Sequence, residues 1–246
     1  MKVKPAKRTN SVKEYYFSQK LRQIDQMRKM GADIINLGIG SPDQPPSNNT
    51  IRRLAEEASK ADAHGYQSYI GIPDLRKAFA AWYKKYFRVE LDPDSEILPL
   101  MGSKEGIMHI SMAFVNQRDD VLIPDPGYPT YSSVTNLIGG NIKYYDLDEK
   151  QGWMPDLDKL EASDLSRTKL MWINYPHMPT GALGSLKLFR NLSDLHSDII
   201  SFFATITRIA SYSIMIISVS CLLLVPEKQH LNSILSVNHI IWQAGE

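Results

Sequence analysis

Apolar and polar positions follow two rhythms along most of this chain. Between Ser11 and Met30, Tyr15, Leu21, Ile24 and Met27 recur at helical spacing among Lys, Arg, Gln and Glu, which predicts an amphipathic helix ended near Gly31. Thr50–Ala63 and Ile72–Phe87 predict two more helices, the second opened by Pro73 and Asp74. Short apolar runs then alternate with helical patterns. Strands are predicted at Ile97–Met101, Val121–Ile123, Lys143–Asp146 and Lys169–Asn174, with helices at Ser103–Val115, Tyr131–Ile138 and Leu157–Ala162 between them. This order predicts an α/β domain wound around a sheet, whose strands need further partners from the rest of the chain.

The rhythm stops at Phe189. From Arg190 onward, 57 positions hold seven charged residues, no glycine before Gly245 and a single proline, Pro226. A tail without α/β punctuation is expected not to finish the sheet, which leaves apolar edges exposed and solubility poor. Its centre, Ile209–Val225, runs seventeen residues without a charge. A bilayer-spanning helix needs about 20 apolar residues. A membrane anchor is therefore a rival reading of the tail, weakened by Ser211, Ser213, Ser218 and Ser220.

Composition narrows the classes further. The chain has 246 residues, 43% of them hydrophobic and 22% charged, enough for one large domain or a domain with an appendage. A formal net charge of +1 gives no electrostatic case for nucleic acid or acidic membrane as a partner. The single cysteine, Cys221, rules out an internal disulfide framework and fits a reducing cytoplasm. Met1–Ser11 is polar and basic without the apolar stretch of a secretory signal. No metal is expected.

Three loops that follow predicted strands carry the candidate chemistry. Gly102-Ser103-Lys104-Glu105-Gly106 turns from a strand into a helix. Such a turn aims free backbone N–H groups and the positive end of the helix dipole at an anion, and it suits phosphate. The alternative is a plain helix start beside a solvated lysine. Pro124-Asp125-Pro126-Gly127-Tyr128-Pro129-Thr130-Tyr131 is a stiff loop presenting aromatics at a strand's C-terminal end, where α/β sheets bind ligands. Tyr128 can stack on a flat heteroaromatic ring there, or the tyrosines can simply pack. Asn174-Tyr175-Pro176-His177-Met178-Pro179-Thr180-Gly181 reads alone as a turn.

In this order, and with Asn36-Leu37-Gly38-Ile39-Gly40-Ser41-Pro42-Asp43 and Gly65-Tyr66 followed by Gly71-Ile72-Pro73-Asp74-Leu75-Arg76, the loops resemble the aminotransferase class I/II family. The resemblance covers about Ser11 to Phe189 and is nearest the branch holding LL-diaminopimelate and aspartate aminotransferases. It implies an aspartate-aminotransferase-like three-layer α/β/α fold, present as an incomplete large domain with an N-terminal helical arm and a non-homologous apolar tail. Residues 1–45 would be the arm and substrate-side segment, 46–189 the partial cofactor-binding domain, and 190–246 the aberrant tail. The implied cofactor is pyridoxal 5′-phosphate, the implied substrates are an amino acid and a 2-oxo acid, and the implied assembly is a homodimer. Ser103 and Lys104 match the phosphate cup, Tyr128 the residue stacked on the pyridine ring, and Asn174 the family's asparagine element. Gly40 would face the substrate carboxylate, and Tyr66 would reach the cofactor phosphate of the partner subunit. One position departs from the pattern. Met178 stands where the family has an asparagine that hydrogen-bonds the cofactor's phenolic oxygen, and a thioether is a weak acceptor that cannot donate.

The family also needs an aspartate for the pyridine nitrogen, a nearby tyrosine, and the lysine that bonds the cofactor covalently. Neither the D-x-x-Y nor the S-K element occurs after Phe189. A shifted reading frame accounts for this. When each triplet is read from the last base of one codon and the first two of the next, Trp242-Gln243 forces alanine. Permitted synonymous codons then turn His230–Gly245 into LELNSVSKSYNMAGWR, with the lysine triplet straddling Val237 and Asn238. Ala204–Ser213 becomes NDNPYSFIL, and Arg190–Leu195 becomes EEFVGL. These three elements lie in one frame and in family order. The expectation is a transaminase by descent, its frame lost near Phe189 and its catalytic lysine with it. The alternatives are a non-catalytic cofactor-binding or heterodimerising fragment and a membrane-tethered protein.

Overall fold

The computed structural model describes residues 3–12, 14–38, 44–185, 187–192, 202–209, 212–219 and 239–244. They fall into two compact units, Val12–Gln67 and a larger one made of Met1–Ser11 with Ser68–Glu246.

The smaller unit holds helices α1 (Tyr16–Lys29) and α2 (Asn48–Ala58). Helix α1 stops where Met30 and Gly31 close the last turn, and the Arg28 guanidinium then ties the helix end to the Ile34 carbonyl at 2.6 Å. Helix α2 begins two residues earlier than its apolar pattern implies. Ser47 caps it by accepting the Thr50 N–H at 3.2 Å, a local signal that outweighs the hydrophobic period. Neither helix buries a residue completely.

The larger unit is a sheet between two helical layers. Its elements run α3 (Pro73–Phe87), β1 (Ile97–Leu100), α4 (Ser103–Phe114), β2 (Asp120–Asp125), α5 (Pro129–Ile138), β3 (Asn141–Asp146), α6 (Leu157–Glu161) and β4 (Thr168–Ile173), then β5 (Phe202–Ile209), β6 (Tyr212–Val219) and β7 (His239–Ala244). The strand order is β1-β7-β6-β5-β4-β2-β3, and every pairing is parallel except those that β6 makes with β5 and β7.

The layering follows from strand period. In β2, Val121 and Ile123 face a core shared with Ile107 and Ile110 of α4 and Tyr131 of α5, while Leu122 faces the opposite core. In β4, Leu170 and Trp172 take the first side and Met171 and Ile173 the second, against Leu160 of α6 and Leu188 and Leu192. Strands buried on both faces read as unbroken apolar runs, which is how these two read. Tyr83 of α3, Val89, Leu91 and Ile97 form a third cluster at the start of β1.

The tail corrects one expectation. Rather than leaving the sheet short of strands, it supplies β5, β6 and β7 and so joins β4 to β1. The reason lies in its composition. Phe202, Phe203, Thr205, Ile206, Tyr212, Ile214, Ile216, Ile217 and Val219 are residue types enriched in strands, whatever frame encodes them. Much of the proposed anchor thus lies in β6, and among the described residues no helix is long and apolar enough to cross a membrane. Residues 220–238, Cys221 among them, lie outside the described residues.

Candidate functional site

With all strands but β6 pointing one way, the loops after β1, β2 and β4 open on the same edge of the sheet, the C-terminal edge. The first begins at Gly102, whose φ of +89° is strained for any residue with a side chain. A Cβ added there would meet nothing within 4 Å, so the space beside this turn is open. Gly102 leads straight into α4, where no side chain caps the first N–H groups. The Glu105 carboxylate instead folds back to accept the Met101 N–H. Ser103 and the exposed Lys104 occupy the first turn. Uncapped N–H groups, a hydroxyl and an ammonium at the positive end of a twelve-residue helix are the groups that an anion cradle requires.

The loop after β2 owes its shape to Gly127, where a Cβ would lie 2.2 Å from the Pro124 carbonyl oxygen. Glycine alone permits that turn. Tyr128 follows, half-buried, with its ring edge-on to Tyr131 at 5.6 Å and 89°. Tyr131 in turn stacks on Trp172 of β4 at 4.8 Å and 12°. This ladder of three rings fixes Tyr128 against the sheet, as a stacking surface requires. Burial pushes the Tyr131 hydroxyl above the usual phenol range, so it stays protonated near neutrality.

After β4 comes Asn174, buried, whose Oδ1 accepts the Met178 N–H at 2.6 Å. The turn is tightened by His177 N–H to the Ala182 carbonyl at 2.7 Å and Gly181 N–H to the His177 carbonyl at 2.6 Å. Gly181 sits at φ +78°. Met178 is 38% exposed, in keeping with a side chain that has no buried polar partner to meet.

Sheet order decides which of these residues come together. Strands β2 and β4 are neighbours, so Tyr128 and Asn174 share one stretch of the edge. Ser103 and Lys104 share that edge from β1, with the three tail strands between β1 and β4. Tyr66 belongs to the smaller unit and is fully exposed. Gly40 lies outside the described residues.

Two residues that matter here carry no role in the sequence reading. Arg76, buried on α3, donates to the carbonyls of Gly71 at 2.6 Å and Pro93 at 2.7 Å and to the Asp94 carboxylate at 2.8 Å. It thereby holds the 70–71 turn, where Gly71 has φ +81°. A buried arginine in a Leu-Arg pair at the start of a helix was the available signal. His177 is the second, buried in the loop after β4 with Nδ1 2.8 Å from Thr180 Oγ1.

The comparisons agree with this geometry. The model of the family "Aminotransferase class I and II" matches residues 32–202. An LL-diaminopimelate aminotransferase from Moorella thermoacetica is 41% identical over 190 residues, 77% of this chain and 49% of that protein. Another from Dehalococcoides mccartyi is 38% identical over 192 residues, 78% of this chain and 50% of that one. The chain thus spans about half the length of the curated relatives it matches. Among solved structures, apo-BacF from Bacillus subtilis superposes with a TM-score of 0.77 at 27% identity, covering 86% of this chain and 61% of that one. An aspartate aminotransferase from Thermotoga maritima superposes at 0.72 with 22% identity over 82% and 53%, a likeness of fold. With the family model matched over most of its length, the chain belongs to the aminotransferase class I and II family, whose cofactor is pyridoxal 5′-phosphate.

Proposed function

We propose that this chain is the cofactor-binding part of a transaminase that moves an amino group between an amino acid and a 2-oxo acid, and that it is catalytically silent as encoded. The observation that carries the first half is the uncapped start of α4 behind Gly102, on the same edge as Tyr128. The residues present fit two parts of pyridoxal phosphate. Ser103, Lys104 and the α4 amides suit the phosphate, and the face of Tyr128 suits the ring. They do not fit the phenolic oxygen, because Met178 has no side-chain donor there.

When bound, the cofactor supplies an electron sink for charge developing on the substrate's α-carbon. This chain's residues bind its phosphate and orient its ring. Moving the α-proton is the task of the family lysine, which the encoded tail lacks. Silence follows from that absence. The homodimer, in which Tyr66 would meet the partner subunit's cofactor, and the substrate-facing role of Gly40 belong to the same reading.

The test is titration of the purified full chain with pyridoxal phosphate, followed by a transaminase assay with glutamate or aspartate as donor. The expected outcome is saturable binding competed by inorganic phosphate, with no turnover. A visible band that survives Lys104→Ala, accompanied by turnover, overturns the silent reading. No binding overturns the cofactor reading.

A further inference from the structure

Strand β1 leads into the Gly102 turn, yet it stands at one end of the strand order and pairs only with β7. Strand β7 lies beyond the residues 32–202 that match the family, so family sequence must hold β1 from the side of α3, which packs on it. Arg76, the fourth residue of α3, is 4% exposed and spreads its guanidinium over three acceptors. Nε donates to the Pro93 carbonyl at 2.7 Å, Nη1 to the Gly71 carbonyl at 2.6 Å, and Nη2 to the Asp94 carboxylate at 2.8 Å. Pro93 and Asp94 lie just ahead of β1. Gly71 abuts β1 itself, since a Cβ there would lie 2.9 Å from Cγ of Pro99. Pro99 is three residues before Gly102. One buried side chain thus grips both the chain entering β1 and the turn that leans on its far half.

The three contacts are unequal. The Asp94 side chain is 75% exposed, so water screens the ion pair and little depends on it. The carbonyls of Pro93 and Gly71 accept charge-assisted hydrogen bonds from a buried cation, and those are the strong ones. Only the planar fork of arginine meets acceptors in three directions at once, whereas a lysine ammonium is a point charge on a flexible stem.

We propose that Arg76 is a positioning residue for the phosphate-binding turn. By clamping the Pro93–Asp94 segment to the Gly71 turn, it fixes β1 where that strand delivers Gly102 and the first amides of α4. The consequence for phosphate rests on the cofactor reading above. The hold on β1 does not.

Amide hydrogen exchange on the ligand-free full chain separates the two. The Gly71 N–H donates to the Ser68 carbonyl, and the Met101 N–H donates to the Glu105 carboxylate. In Arg76→Lys, which keeps the charge and removes the fork, exchange at both amides is expected to rise about tenfold, with Val121–Ile123 of β2 unchanged. Asp94→Asn, which gives up only the charge of the exposed partner, is expected to leave both amides protected. A rise at Gly71 with Met101 unchanged overturns the proposal, because the clamp then stops short of the turn. An equal rise in β2 overturns it as well, since that is general loosening. If Arg76→Lys fails to fold, Pro99→Ala removes the ring that Gly71 abuts and leaves Arg76 in place. It is expected to raise exchange at Met101, and an unchanged Met101 overturns the proposal. A second arm measures binding of pyridoxamine 5′-phosphate and of pyridoxamine. Arg76→Lys is expected to weaken the phosphorylated ligand about tenfold and leave pyridoxamine unchanged, with Asp94→Asn matching the unaltered chain. Equal weakening of both ligands, or of neither, overturns the link to phosphate. Absence of binding by the unaltered chain refutes the cofactor reading, while the exchange result still decides the hold on β1.

Discussion

Gly102 and Gly127 show how two glycines in loops at one edge of the sheet constrain the backbone for different reasons. Gly127→Ala drives a Cβ into the Pro124 carbonyl oxygen at 2.2 Å, a clash with backbone that cannot rotate away. We expect a loss of more than about 2 kcal/mol in folding stability, read by denaturant titration. Gly102→Ala meets open space but must hold φ near +89°. That strain costs about 1–3 kcal/mol and is relieved by reshaping the cradle. Its expected signature is weaker phosphate-dependent ligand binding with a smaller change in global stability. For Tyr128, ring and hydroxyl separate cleanly. Tyr128→Phe should keep pyridoxamine 5′-phosphate affinity within about twofold, and Tyr128→Ala should lose about 0.5–1.5 kcal/mol of stacking, read as a roughly two- to tenfold rise in Kd.

These residue-scale features were unequally legible. Gly102-Ser103-Lys104 and the tyrosine loop show in sequence because glycine, proline and aromatics at strand ends are local signals. The bracing of Tyr128 by Tyr131 and Trp172 is not local. It joins positions 41 residues apart, Tyr131 on α5 and Trp172 on β4, and only the packing of α5 against the sheet reveals it.

At the scale of elements, the helices and β1 to β4 follow their apolar periods to within a few residues at most boundaries. Prolines refine the starts: Pro129 opens α5 two residues before the apolar stripe begins, because its fixed φ and missing N–H suit the first helical position. The end of α2 is the larger miss, with the helix closing at Ala58 rather than near Ala63. The tail strands were illegible for a different reason. Their β-branched and aromatic residues were visible, but without alternation or turn residues nothing indicated which neighbours they would pair with. β6 is central, paired to β5 and β7 along eight and six positions. Ile216→Pro removes a ladder donor in the middle of that strand and should separate β1 from β4. The expected result is aggregation or loss of cooperative unfolding by circular dichroism. Unchanged unfolding would show that β6 does not hold the sheet together.

A second element-scale prediction concerns acid. Asp120, at the start of β2, pairs with Lys143 of β3 at 2.9 Å and accepts from Asn141 at 3.1 Å. Burial alone would raise its pKa, but these contacts outweigh it and hold the carboxyl below its ordinary 3.8. A folded-state pKa below the unfolded one gives stability that is full above the unfolded value and lost as pH falls through the folded one. Asp120→Asn should therefore lower stability at neutral pH and narrow the gap below about pH 4. A gap independent of pH contradicts the pairing.

For the whole molecule, the chain covers about half of its curated relatives, yet its large unit closes a seven-stranded sheet. Family sequence supplies four of those strands, and the tail supplies three. A lost frame would account for where the family sequence stops, and the strand-forming residue types of the tail account for the other three strands. Resequencing the gene should show the alternative frame open past the Phe189 codon and continuing as an aminotransferase C-terminal half. Early stops there contradict it. Restoring that frame should give transaminase turnover, which the proposed reading does not expect of the present chain.

The central claim is that the edge behind β1 and β2 still holds the phosphorylated cofactor although catalysis is gone. Equilibrium dialysis of the full chain against pyridoxamine 5′-phosphate and against pyridoxamine tests it most directly, since neither ligand can form an imine with lysine. The account predicts saturable binding of the phosphorylated form, at least about tenfold tighter than pyridoxamine and weakened by Gly102→Ala. Equal affinity for the two ligands, or no binding of either, would contradict it.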